Sequence, residues 1–155
     1  MAAYIKIGDI KGECTEKDHK EWIEIGSWSW SVSKEMTYKQ NKPAPGSTHV
    51  NDLTISKNCD LASPLLMKAC CDGTYFKEVE LHLTKDTGKR EKYLVYKLEN
   101  AFLSSFDIGG GGEEPNDSFT LSYHKVTFEY TQFDDAGKKK GNNSGAYSVS
   151  ERTAE

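Results

Sequence analysis

Residues 27–33 read SWSWSVS, with serine at every odd position and tryptophan or valine at every even one. A strict period of two cannot sit on a helix, whose faces repeat every 3.6 residues, so this stretch is a strand with one apolar and one polar face. The apolar face needs a core to cover it. The polar face is only serine, where a solvated strand usually carries Lys and Glu, as Lys77, Glu78 and Glu80 do. Three readings fit such a face: plain exposed surface, a wall lining a wet space, or an interface of small residues.

The device recurs at residues 118–123, where Ser118, Thr120 and Ser122 alternate with Phe119, Leu121 and Tyr123. Past His124-Lys125 the phase flips, so Val126, Phe128 and Tyr130 form the apolar side, which implies a bulge or a passage from one sheet to another. A similar switch occurs in residues 21–33, between Ile23/Ile25 and Trp28/Trp30, with Gly26 at the change of parity, as expected for a bend. Further strand patterns cover residues 4–7, 50–57, 78–84 and 92–107. One helix interrupts them. Ser63-Pro64 supplies an N-cap and a first-turn proline, Leu65, Leu66, Ala69 and Cys70 form an apolar stripe, and Gly73 ends it. With 155 residues and no linker or repeat, the chain reads as one all-β domain, residues 1–155. Residues 37–49, TYKQNKPAPGSTH, are too long for a tight hairpin turn and are expected to form an extended arm. Gly109 to Gly112 are a flexible connection into the last long strand.

Composition narrows the function. A net charge of −4 without a basic cluster argues against nucleic acid, and Lys138-Lys139-Lys140, set among Gly and Asn, reads as a solvated loop. No segment has the length of a membrane span, and MAAYIKIGDIKGE lacks the regions of a secretory signal, so synthesis in the cytoplasm is expected. On that ground the acceptor patterns at Asn116 and Asn142 are discounted as glycosylation sites. Cys14, Cys59, Cys70 and Cys71 form no C-x-x-C pair and read as reduced thiols. The glycine run lacks the lysine and spacing of a phosphate loop. The four histidines show no metal-ligand spacing: His82 reads as solvated beside Glu80, and His19 as a turn residue. Nothing pairs a nucleophile with a base, so neither an enzyme nor a cofactor nor a metal site is expected.

Several of these residues carry a family resemblance. Residues 5–13 (IKIGDIKGE), His19 ahead of Ile23-Glu24-Ile25, Trp28-Ser29-Trp30, Lys57 with Asp60, the Ser63-Pro64 helix, the glycine run and the closing residues 121–130 stand in an order that resembles the haemolysin-coregulated protein (Hcp) family, the tube protein of bacterial type VI secretion systems. The resemblance implies two packed antiparallel sheets forming a compact β-barrel with one short α-helix at the side. It also implies homohexameric rings that stack into an expelled tube, with effectors carried in the channel, contacts to sheath and spike proteins, and export without a signal peptide. The family's lumen-facing serine maps to Ser29, which makes Ser27, Ser29 and Ser31 the expected channel wall. The arm, with Lys39, Gln40, Asn41 and Lys42 at its tip, is expected to contact the next ring. A dedicated effector-adaptor ring and a monomeric ligand-binding barrel remain as alternatives.

Overall fold

In the computed structural model, residues 2–86, 90–149 and 151–154 are described. Twelve strands and one helix follow in order: β1 (Ala2–Ile7), β2 (Ile23–Ile25), β3 (Ser27–Ser29), β4 (Val32–Lys39), β5 (Lys42–Val50), β6 (Leu53–Asn58), α1 (Ser63–Asp72), β7 (Phe76–Asp86), β8 (Arg90–Gly109), β9 (Asn116–Ser122), β10 (Lys125–Phe133), β11 (Lys139–Ser148) and β12 (Thr153–Ala154). All pairings are antiparallel. One layer runs β12-β11-β10-β8-β7-β1-β2 and the other β3-β6-β9-β8, so the fold is mainly β with two sheets and a short helix, as expected.

The layers meet where the sequence changes parity. β2 belongs to one sheet and β3 to the other, and between them the Gly26 N–H bonds the Ser56 carbonyl at 2.9 Å. The twenty-residue β8 serves both sheets. Its first half pairs with β7 and β10, and residues from Phe102 onward pair with β9. Asn100, at φ 50°, marks the bend, and asparagine tolerates the left-handed region better than most residues. Alongside it, the backbone N–H of His124 donates to the Glu99 carbonyl at 3.0 Å, where β9 hands over to β10. The expected run over residues 118–133 is therefore two strands, and the phase flip is the crossing between sheets.

Between the layers lie Ile5, Ile7, Ile23, Leu53, Ile55 and Phe119, all fully buried. α1 packs on β8. Leu66 and Ala69 are its buried apolar residues, whereas Leu65 is exposed and Cys70 half-buried. Gly73, at φ 66°, ends the helix in the left-handed conformation expected of it. Ser63 is not the N-cap: Ala62 holds that position without a side-chain bond, and the Ser63 hydroxyl turns inward to an ionic cluster instead.

Three other expectations are corrected. The arm does close in a tight turn. β4 and β5 form a separate two-stranded ribbon, with Lys39 opposite Lys42 and with Gln40 (φ 52°) and Asn41 (φ 63°) both left-handed. That is the two-residue turn whose twist suits a hairpin, and the prolines that argued against it, Pro43 and Pro45, sit on a ribbon strand that no second neighbour needs to pair. Val50 accordingly ends β5 and does not begin β6. Finally, Lys139 and Lys140 open β11, which extends the large sheet beyond β10, so the lysine run is not simply a loop. The four cysteines are free thiols.

Candidate functional site: a hydroxyl-paved sheet face

The smaller sheet buries Leu53, Ile55, Phe119, Leu121 and Leu103 on its inner side. Strand alternation sends the intervening side chains outward. Ser27 lies opposite Ser56, which lies opposite Ser118, which lies opposite Asp107. One pleat along, Ser29, Thr54, Thr120 and Ser105 form a second cross-strand row. Ser27, Ser29 and Ser31 are exposed, and Ser31 is tied by its hydroxyl to the Asn51 amide at 2.6 Å. The paired outward positions of these rows carry no Lys or Arg. Of the paving, Ser27, Ser29, Ser31 and the β9 hydroxyls are readable from alternation. Thr54 and Ser56 alternate in the same way with Leu53, Ile55 and Lys57, a signal that the sequence reading passed over, and Ser105 joins only through β8–β9 pairing.

Proton counting gives the face a direction. Ser104 and Ser122 each donate to a different oxygen of the Asp52 carboxylate, both at 2.7 Å. A hydroxyl has one proton to give, so in the 2.6 Å Ser104–Thr120 contact Thr120 is the donor. The 2.7 Å Ser105–Thr120 contact must then run from Ser105. Four hydroxyl protons, those of Ser104, Ser105, Thr120 and Ser122, thus run toward Asp52.

Under this face, Trp28 and Trp30 are on the core side as expected but are half-buried, not fully enclosed. Trp28 meets Tyr96 edge-on at 5.1 Å, and the Trp30 indole N–H donates to the Tyr123 hydroxyl at 2.6 Å, which donates to the Asn51 carbonyl at 2.7 Å. Burial raises the Tyr123 phenol above its ordinary value, against the lowering effect of the Trp30 bond.

Deeper still lies a cluster that sequence pattern could not assemble. Lys57 is fully buried and donates to Asp60 Oδ1, Ser63 Oγ and Asp117 Oδ2, each at 2.9 Å. Ser63 also donates to Asp117 and accepts from the Asp60 N–H at 3.0 Å. It pins the start of α1 to β6 and β9, which hold the two hydroxyl rows. An open cavity of about 810 Å³, lined by Lys57, Asp60, Ser27, Glu13, Glu24 and Glu114 among others, borders it.

The predicted arm residues stand apart from the serine face, at the tip of the β4–β5 ribbon, and Lys39, Gln40, Asn41 and Lys42 are all exposed. Along the ribbon His49 pairs with Glu35 at 2.8 Å, a contact that lowers the Glu35 carboxyl through its hydrogen bond and the charge. His82 is not solvated. It is buried, 3.0 Å from His19 and 3.1 Å from Glu80.

Comparison with known proteins agrees with these features. The profile of the family described as "Type VI secretion system effector, Hcp" matches residues 4–130. Protein hcp1 of Pseudomonas aeruginosa is 33% identical over 142 residues, covering 89% of this chain and 88% of that protein. Among solved structures, a type six secretion system protein superposes with a TM-score of 0.91 at 28% identity, over 99% of each chain. A type VI secretion system effector from Yersinia pestis gives 0.77 at 27% identity, over 95% of this chain and 99% of that one. With the strand order, the helix and the matched residues in agreement, the chain belongs to the Hcp family of type VI secretion system proteins.

Proposed function

We propose that the protein is a structural tube subunit, which forms homohexameric rings that stack into the expelled inner tube of the secretion system and carry effectors in the channel. The observation that carries this reading is the outward face of the small sheet, two cross-strand rows of hydroxyls, one of them ending in Asp107, without a cation. A channel wall built this way stays wide, and its small hydroxyls do not hold a passenger tightly. Ser27, Ser29 and Ser31 lie on that wall in this reading.

The ribbon supports the stacking half. β4 and β5 pair with no other strand among the described residues, and Met36 and Tyr38 are 62% and 69% exposed. Apolar side chains on a lone ribbon suit a partner surface, here the adjoining ring. The role is mechanical, not catalytic. Sheath and spike proteins are the remaining partners, and export follows the tube.

Native mass spectrometry and negative-stain microscopy of the purified chain test the proposal. Six subunits in a ring with an open centre are expected. A monomer at tens of micromolar protein would overturn it.

A further inference from the structure

Four titratable side chains form a chain in space next to the core. Glu16 Oε2 lies 2.5 Å from His19 Nδ1, His19 Nε2 lies 3.0 Å from His82 Nδ1, and His82 Nε2 lies 3.1 Å from Glu80 Oε2. Glu16 and His19 come from the segment between β1 and β2, while His82 and Glu80 are on β7. Both imidazoles are buried, with Tyr4 stacked on His19 at 4.5 Å and Trp22 against His82 at 4.6 Å.

Each of the three contacts needs one proton between two lone pairs. Two neutral imidazoles supply two, so the connected state holds a third, shared along the chain. The middle contact has a strict limit. One of the facing nitrogens, His19 Nε2 or His82 Nδ1, must stay bare, because two imidazolium rings would set N–H against N–H across 3.0 Å. We propose that Glu16, His19, His82 and Glu80 are an acid-releasable clamp, which fastens the segment between β1 and β2 to β7 while at most one of the two imidazoles is charged and lets it go when both are.

The surroundings set which ring must stay neutral. His19 has the Glu16 carboxylate against it. His82 is held down to about 4, first by burial and then by Lys92, His19 and Lys97. Glu80 is pushed up by burial and by its Glu78 neighbour, and only partly offset by Lys97 at 3.6 Å. Lys97 is closer to Glu78, at 3.2 Å. From β1, Tyr4 lies directly opposite His82 and Lys6 opposite Glu80, and Lys6 is a further cation on that side. Release is local in this arrangement. The segment carries Glu13, which lines the same cavity as Ser27, so opening the clamp frees the border of the hydroxyl face without cutting into the sheet.

Amide hydrogen exchange of the full chain, corrected for intrinsic pH dependence, combined with nitrogen-15 spectra of the imidazoles between pH 7 and 3.5, tests this. Exchange in residues 13–22 should rise at least about tenfold, with the same midpoint as the His82 imidazole, while β6 and β9 stay protected. His82→Gln keeps a hydrogen-bonding side chain without a titrating ring, and its segment should exchange independently of pH over that range. Three results would overturn the clamp: segment and imidazole midpoints that differ in the unsubstituted protein, exchange that rises in β6 and β9 at the same pH, or His82→Gln retaining the acid release. If His82→Gln does not fold, the comparison of midpoints in the unsubstituted protein decides alone.

Discussion

Lys57 shows how far a single residue can be understood from its place in a pattern. In the run Leu53, Ile55, Lys57 it falls at an inward position, which alternation reveals, but its partner Asp117 lies sixty residues away on β9 and no spacing announces it. A fully buried ammonium is tolerable only because three oxygens receive its protons at 2.9 Å. Lys57→Met should therefore cost roughly 3–5 kcal/mol, since it leaves buried carboxylates unpaired, and Lys57→Met/Asp117→Asn should recover part of that loss. Urea unfolding of both variants checks it, and equal losses would show that packing rather than charge sets the cost. His82 works in the opposite sense. Its folded value near 4 lies below its ordinary 6.5, so as pH falls between these values the unfolded chain binds a proton that the folded one refuses. Stability should then fall with pH across that window, by up to about 3 kcal/mol, and His82→Gln should flatten the slope. The raised Glu80 carboxyl opposes it, because the folded state holds that proton more tightly, so Glu80→Gln should steepen the slope. An unchanged slope in His82→Gln would contradict the first, and an unchanged slope in Glu80→Gln the second.

Elements were legible where one physical cause dominates. Alternation located the strands, and parity changes at Gly26 and His124 located the crossings between sheets, because only one face of each strand can meet the core. The arm was harder. Its ends and exposure could be read, but its turn depends on Gln40 and Asn41 adopting left-handed backbone, which glycine would have signalled and these residues did not. β11 was missed because GNNSG offers no apolar face. Its strand state comes from pairing along β10, from Lys125–Ser148 to Phe133–Lys139. If the ribbon makes the proposed stacking contact, replacing residues 37–45 with a short Gly-Ser turn should leave rings intact and abolish tube formation and secretion. Normal secretion by that variant would remove the ribbon from the stacking contact. On the hydroxyl face, Asp52 is the acceptor that orders its neighbours. Asp52→Asn gives up one oxygen for an NH₂ group, leaves one of Ser104 and Ser122 without its acceptor, and should cost about 1 kcal/mol in thermal unfolding. An unchanged melting temperature would mean that the hydroxyls re-pair without it.

For the whole molecule, the decisive question is where the serine face points in the proposed ring. Ser29 is central to it, on β3 at the end of the row Ser29, Thr54, Thr120, Ser105, with its side chain exposed and the half-buried Trp28 and Trp30 on the opposite side. Ser29→Arg adds bulk and a positive charge to a face whose paired outward positions hold no cation, and touches none of the buried residues. If the face lines the channel, the variant should form rings of near-normal thermal stability and fail to bind or protect at least one effector, because six guanidinium groups narrow the channel and place positive charge on rows that hold no cation. Trp28→Ala separates this from a folding defect. It removes a ring packed on Tyr96, and because Trp28 is only half-buried it should cost about 2 kcal/mol, below the usual 3–5 for a fully enclosed aromatic, with cargo binding retained in the rings that form. Native mass spectrometry with and without effector reads both variants. Loss of rings in Ser29→Arg would make the serine rows a contact between subunits, and retention of both rings and cargo would place them on the outside of the tube.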